Sequence, residues 1–457
     1  MKRSFFPILL LTISCTEVQA PTGGEPRAVT AFVGVSVVPM DSDRIVENQT
    51  VLVENGHIAA FGPAGEVDVP GGATRVDGAG KYLMPGLAEM HGHLPNPDTP
   101  AVVTENVLFL YVANGVTTVR GMQGNPSQIP LRARIDRGEL IGPRLILGSP
   151  SMSGQSVATA EDATRLVREH KDAGFDLLKV HEGLSPEVYD AIAAAAKENG
   201  IPFGGHVTDT VGLLHALGAG QTTIDHLDNY VEALVPEGQA PSEAPGLLGA
   251  EQLLARIDES RLPQLVQATL DADASVVPTM VLWESGIYAT RPSAELLAER
   301  TEIRYMPKDT VERWVQAVDE RVARSDAQLL RQLADLRRRI LTALHQGGVR
   351  ILLGTDSPQI FSVPGFSIHR EMQFYVDSGM TPYEVIASGT RVVGDYFGEN
   401  FGTIAVGESA DLILVEGNPL EDVKNVSRIS GVMARGKYLS REEIDRRLSA
   451  IAAGYAS

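Results

Sequence analysis

Between Leu83 and Thr355 the sequence repeats one pattern eight times: a short apolar run with strand character, a loop, then a stretch of helical periodicity. After the first run come Val116–Arg120, Arg144–Gly148, Asp176–Val180, Ile201–His206, Gln221–His226, Ala274–Met280 and Val349–Thr355. Helix signals stand between them. Thr159 can cap a helix over Glu161–Ala173, and Ser185-Pro186-Glu187 opens another, with Val188, Ile192 and Ala195 as its stripe and Asn199-Gly200 as its end. A helix over Val211–Leu217 follows, then charged helical sequence from Pro292 to Gln346, and Thr381-Pro382-Tyr383-Glu384 has the capping-box pattern. Arg337-Arg338-Arg339 reads as a solvated face. Strands alternating with helices make a parallel sheet, and eight such units are the number of a (β/α)8 barrel. A chain of 457 residues accommodates that barrel and a smaller module.

The flanks carry a different period. Ala31–Pro39, Thr50–Val53, His57–Phe61 and Thr74–Val76 are β-patterned, with Asn55-Gly56 a two-residue hairpin signal. The pattern returns to β at Gly402, through Ile429–Ala434 and Lys437–Leu439. We expect the two pieces, 27–83 and 402–440, to pack as one composite β-sandwich around a barrel over 84–401, with 441–457 a frayed closing helix. Residues 231–262, rich in Pro, Gly and Glu, form a candidate lid or specificity loop.

The first residues read as an export signal rather than fold. Lys2-Arg3 precedes an apolar run, Phe5–Ile13, too short to span a bilayer. Cys15, the one cysteine, excludes an internal disulfide, and its place after Leu11-Thr12-Ile13-Ser14 resembles a bacterial lipoprotein signal. Residues 1–15 would then be the signal, Cys15 the lipidated residue of a cell-envelope protein, and 16–26 a tether. The alternative is a soluble periplasmic or secreted protein cut after Ala20, which Pro21 disfavours. Membrane contact is expected only through that anchor. The formal charge of −19 argues against a nucleic-acid partner, because phosphate binding needs clustered Lys and Arg. A small-molecule substrate is expected, and a homo-oligomer is compatible with the sequence.

His91 and His93 close the first apolar run. Residues i and i+2 of a strand point the same way, so both imidazoles can meet at one point, as a transition metal requires. His206, His226 and Asp356 stand at or just beyond the ends of later strand-like runs, the face on which such barrels carry their chemistry. Lys179 stands at the end of Asp176–Val180.

Seven pieces carry a resemblance: Met84-Pro85-Gly86-Leu87 leading to His91-Gly92-His93, Gly115 to Arg120, Phe175 to Val180, Gly205-His206, Asp225-His226, Gly354-Thr355-Asp356 and Ala410-Asp411-Leu412. In this order the chain resembles the amidohydrolase superfamily of metal-dependent hydrolases, in particular its imidazolonepropionase-like branch with carboxylated-lysine dipeptidases. The resemblance implies a first metal on His91, His93 and Asp356, a second on His206 and His226, and Lys179 bridging them as a carbamate formed with CO2. It also implies a metal-bridged hydroxide as nucleophile, with Asp356 as ligand and acid/base. An unmodified Lys179 beside a single metal is the alternative. Imidazoles and carboxylates without thiolate suit two Zn2+ per chain, and Mn2+, Fe2+, Co2+ and Ni2+ also fit. Tyr230, four residues past His226, is a candidate oxyanion donor. His181 and His369 are candidate substrate contacts. Arg120 either pairs with a substrate carboxylate or locks the barrel mouth, and the second is favoured. His57, His170, His215 and His345 are assigned no ligand role.

The expected reaction is hydrolysis of an amide-type C–N bond in a dipeptide, N-acyl amino acid or cyclic amide. The alternatives are deamination of a heterocycle and an inactive surface-binding lipoprotein. Lys179, and Asp209 where such deaminases place glutamate, count against deamination.

Overall fold

Two segments far apart in sequence, 29–85 and 412–440, meet in one sheet. In the computed structural model, which describes residues 29–236, 238 and 247–456, the chain opens with β1 (Val29–Val37), β2 (Val46–Glu54), β3 (His57–Pro63), β4 (Thr74–Asp77) and β5 (Tyr82–Pro85). Cys15 and segments 1–15 and 16–26 lie outside the described residues, as does part of the expected lid. The Asn55-Gly56 turn joins β2 to β3 with both residues at positive φ, 51° and 78°, as the hairpin signal predicts.

Eight parallel strands follow: β6 (Leu87–Gly92), β7 (Val116–Gly121), β8 (Arg144–Leu147), β9 (Leu178–Val180), β10 (Phe203–Gly205), β11 (Thr223–Asp225), β12 (Ser275–Val277) and β13 (Arg350–Ile351). They form a three-stranded and a five-stranded sheet in sequence order. Backbone bonds from Ser149 N to Leu177 O and from Asp176 N to Leu147 O, both 2.9 Å, carry β8 onto β9. Met90 N to Leu353 O (2.8 Å) and Asp356 N to His91 O (2.7 Å) tie the end of the series to its start. Helices lie between the strands, and the three caps the sequence predicts are formed. Thr159 Oγ1 accepts from Asp162 N, Ser185 Oγ from Val188 N, and Thr381 and Glu384 close a capping box. All residues of β6 and β7 are buried, as strands covered on both faces must be.

The chain ends with β14 (Leu412–Val415), β15 (Ile429–Ala434) and β16 (Lys437–Ser440). These join β1–β5 in the order β16-β15-β14-β5-β1-β2-β3, with β4 beside β1. The seam is antiparallel, from Tyr82 opposite Val415 to Pro85 opposite Leu412. Strands from both ends thus share one continuous hydrogen-bonded order of eight strands. Phe32, Val35, Val51, Leu412, Leu414 and Met433 of that sheet form a buried core of their own. The chain leaves it at Gly86, where a Cβ would stand 2.1 Å from Thr117 Oγ1, so only glycine permits the switch into β6.

Two expectations need correction. The closing helix, Arg441–Ala456, is docked rather than frayed: Ile444, Leu448 and Ile451 are buried, and Asn106 Nδ2 donates to Tyr455 Oη at 2.9 Å. Arg337 is not part of a solvated face. It is buried, with its guanidinium 3.6 Å from the Trp283 ring centre, because the helix Ala327–Gln346 turns that position inward.

Candidate metal centre

The C-terminal ends of the parallel strands bring six side chains together. His91 lies in β6 and His93 just after it; Lys179 lies in β9; His206 and His226 directly follow β10 and β11; Asp356 lies five residues past β13. Neighbouring imidazoles form a continuous row. Ring centroids are 5.5 Å apart for His91–His93, 4.4 Å for His91–His226 and 4.5 Å for His206–His226. The ligating atoms of His91, His93 and Asp356 all lie within 4.8 Å of one another. Those of Glu182, His206 and Asp228 form a second such group.

Each imidazole is oriented by a partner at Nδ1. His91 Nδ1 meets Asp225 Oδ2 at 2.7 Å, His93 Nδ1 meets Gln123 Oε1 at 2.9 Å, His206 Nδ1 meets Asp228 Oδ2 at 2.7 Å, and His226 Nδ1 meets Thr279 Oγ1 at 2.8 Å. A partner there that accepts a proton leaves Nε2 as the bare nitrogen, the arrangement metal-binding histidines use. His93 Nε2, His226 Nε2 and Asp356 Oδ1 are buried and have no hydrogen-bond partner. His93 Nε2 and Asp356 Oδ1 stand 2.5 Å apart without hydrogen-bond geometry, as two ligands converging on one cation do. Orphaned buried polar atoms are rare and costly. A divalent ion therefore fits this donor set.

Burial also sets the protonation states. It carries His206 down to about 3 and puts His91 and His226 well below the ordinary histidine value, so these imidazoles are neutral. Burial lowers Lys179 in the same sense, with Asp225 and Asp356 opposing it; Lys179 Nζ lies 3.3 Å from His91 Nε2. Burial lifts Asp228 to about 7, with Arg337 and Lys179 opposing it.

The backbone is strained where the ligands sit. His226 and Asp356 have φ of +64° and +62°, rare for residues with a Cβ, which turn each side chain off its strand end. Gly205 has φ of +118°, and a Cβ there would stand 2.8 Å from Lys179 Cδ, so the residue before His206 must be small for Lys179 to pass.

A cavity of about 480 Å³ opens over this group, lined by His93, Lys179, His181, Glu182, His206, His226 and Asp356 and walled by Leu282, Trp283 and Ile360. A larger cavity, about 740 Å³, lies beside the strand starts at Arg144 and Arg350 and contains none of these residues. His181 borders the site cavity, with its ring centroid 4.2 Å from that of His206. Three other candidates lie elsewhere. Tyr230 is fully buried and its hydroxyl pairs with Thr269 Oγ1 at 2.7 Å, so it offers no oxyanion donor. Arg120 is fully buried and binds Met90 O, Thr223 Oγ1 and both oxygens of Asp225, which makes it an internal lock rather than a substrate contact. His369 lines a separate cavity with Arg300 and Phe366. Of the partners at Nδ1, Asp225 is quoted in the sequence only as part of Asp225-His226, with no role of its own, and Asp228, Gln123 and Thr279 are not singled out there.

Residues 82–439 match the model of the Amidohydrolase family. Ochratoxinase of Aspergillus niger is 28% identical over 183 residues, an alignment that takes in 38% of this chain and spans only 37% of that relative's length. Among solved structures, bottromycin amidohydrolase superposes with a TM-score of 0.71 at 23% identity, covering 93% of this chain and 90% of its own. The structure of A. niger ochratoxinase superposes with a TM-score of 0.62 at 19% identity, covering 91% and 96%.

Proposed function

The chain belongs to the amidohydrolase family, and from that premise we propose that it is a metal-dependent hydrolase cleaving an amide-type C–N bond in a small molecule such as a dipeptide, N-acyl amino acid or cyclic amide. The observation that carries this reading is the set of three buried, unpartnered atoms, His93 Nε2, His226 Nε2 and Asp356 Oδ1, converging beside Lys179 and beneath an open cavity. We read the eight parallel strands as a closed (β/α)8 barrel, with the site at its C-terminal mouth and the composite sheet as its accessory module.

His91, His93 and Asp356 would hold one divalent cation and His206 and His226 a second; Zn2+ suits these donors, and other divalent transition metals fit them. Bound there, the ions would supply Lewis acidity and a water of near-neutral pKa. Lys179, with its ammonium disfavoured by burial, would add CO2 at Nζ with loss of a proton, giving an anionic carbamate suited to bridging. Asp356 would take a proton from the attacking water and deliver it to the leaving nitrogen. The partners at Nδ1 hold the imidazoles in place, and the apolar wall of Leu282, Trp283 and Ile360 limits bulk water.

The test is an assay of protein reconstituted separately with Zn2+, Mn2+ and Co2+ against libraries of dipeptides, N-acyl amino acids and cyclic amides. Metal-dependent appearance of free amine supports the reading. Ammonia release from heterocycles with no amide cleavage would replace it with deamination.

A further inference from the structure

One cation of the site cavity has no role in the reading above. Arg321 lines the cavity and comes from the helix Lys308–Arg324, outside the parallel sheet. On that helix Trp314 and Val318 are buried, and Arg321 continues the same inward stripe at the i, i+4, i+7 spacing. A position on that stripe ordinarily carries an apolar side chain. The neighbours that could neutralise it on its own helix are Ala317, Val318, Arg324 and Ser325, none acidic. Arg313 and Arg324 of the same helix each pair with a carboxylate four residues earlier. Arg321 has no carboxylate within ion-pair distance among the described residues, and its one side-chain hydrogen bond there goes from Nη1 to the Gly286 carbonyl. Three acidic residues share the cavity, Glu182, Asp228 and Asp356, and none of them forms an ion pair with Arg321; Asp228 pairs with His206 instead.

Gly286 belongs to the stretch Trp283–Ile287, whose Trp283 and Ile287 wall the same cavity. Arg337 stacks on the Trp283 ring, 3.6 Å from its centre, and does not itself line the cavity. Arg321 therefore lies beside an apolar, partly aromatic wall that also includes Leu282 and Ile360. A planar guanidinium with spare donors matches a carboxylate in fork geometry, and the adjoining wall matches an apolar side chain.

We propose that Arg321 anchors the free carboxylate of the substrate, and that Trp283, Leu282 and Ile287 take the side chain of the carboxylate-bearing residue. The preferred substrates are then amides whose nitrogen belongs to an apolar or aromatic α-amino acid with a free carboxyl group. This deepens the amide-hydrolase reading and rests on it.

The experiment compares an N-acyl phenylalanine with its carboxamide on the metal-loaded protein, by hydrolysis and by calorimetric binding. The expected kcat/KM ratio of acid to carboxamide is about 10- to 100-fold, the range set by one charge-assisted pair. Arg321→Gln brings the ratio near one at unchanged metal content, and Arg321→Lys gives an intermediate ratio, since an ammonium keeps the charge but not the fork. Equal cleavage of acid and carboxamide by the unmodified protein overturns the proposal without any variant. So does an unaltered ratio in Arg321→Gln. If neither compound is cleaved but only the acid binds, the hydrolase reading fails and the anchor stands; if neither binds, both fail.

Discussion

Asp225→Asn tests the support of the candidate metal centre without touching a proposed ligand. Asp225 is fully buried and shares its two oxygens among His91 Nδ1 at 2.7 Å and two contacts with Arg120 Nη2 at 2.9 and 3.1 Å. Asparagine keeps the shape but has one acceptor oxygen. If that oxygen stays with Arg120, the amide NH2 faces His91 Nδ1 and selects the tautomer with the proton on Nε2, which cannot ligate. If it turns to His91, the NH2 faces the buried guanidinium, whose remaining partners are Met90 O and Thr223 Oγ1. Breaking a buried pair at one side costs about 3–5 kcal/mol, and the one retained bond puts the expected loss near the low end, about 3 kcal/mol. Loss of a carboxylate behind a metal-binding histidine costs about 10- to 100-fold in metal affinity. Stability is read from the urea midpoint, and affinity from metal retained against graded chelator. Burial alone would raise the Asp225 carboxyl, but Arg120 and Lys179 outweigh it and hold it below its ordinary value. Its stabilisation is therefore complete above the unfolded value of about 3.9 and is lost as pH falls through the lower folded value. The gap between native and variant protein should narrow on acidification below about pH 4. An Asp225→Asn protein with native metal affinity and midpoint would refute the reasoning.

Asp356→Asn should reduce turnover to background while leaving the unfolding free energy from urea within about 1 kcal/mol of native, since Oδ1 has no hydrogen-bond partner to lose; near-native activity would remove Asp356 from the mechanism. Lys179→Ala should lose at least one metal per chain by elemental analysis, and full occupancy would exclude a required bridge. Glu371→Gln should destabilise by about 1–3 kcal/mol at unchanged denaturant slope, because both carboxylate oxygens accept backbone N–H groups, from Met280 and Val281, and a glutamine NH2 must face one of them. The lipid anchor proposed at Cys15 predicts that Cys15→Ala moves the protein from the membrane fraction to the soluble one, and an unmoved distribution would count against it.

The ligand candidates are legible in the sequence because strand geometry is simple. A residue at or just past the end of an apolar run of a parallel sheet faces the strand mouth, which places His91, His93, Lys179, His206 and His226 without knowledge of any loop. Tyr230 defeats the same logic four residues on. Leu227 and Asn229 take φ of +54° and +60°, and this double reversal starts a helix at Tyr230 that turns the phenol onto Thr269. Neither Leu nor Asn announces such a conformation as glycine would. His369 fails for a related reason: its loop does border the site, but the helix Phe366–Asp377 has begun by then, and its pitch carries the imidazole to another cavity. The Arg120–Asp225 pair, by contrast, had a readable signal. Each residue lies at or next to the end of a fully buried strand of a parallel sheet, where a charged side chain is almost never buried unless paired. Two such residues of opposite sign, each in register with the site strands, imply one another. Once Arg120 is spoken for by Asp225, it is unavailable to a substrate carboxylate, and a cation for that role must come from outside the parallel strands. A helix packed over the mouth can supply one with no motif of its own, which is the position Arg321 occupies.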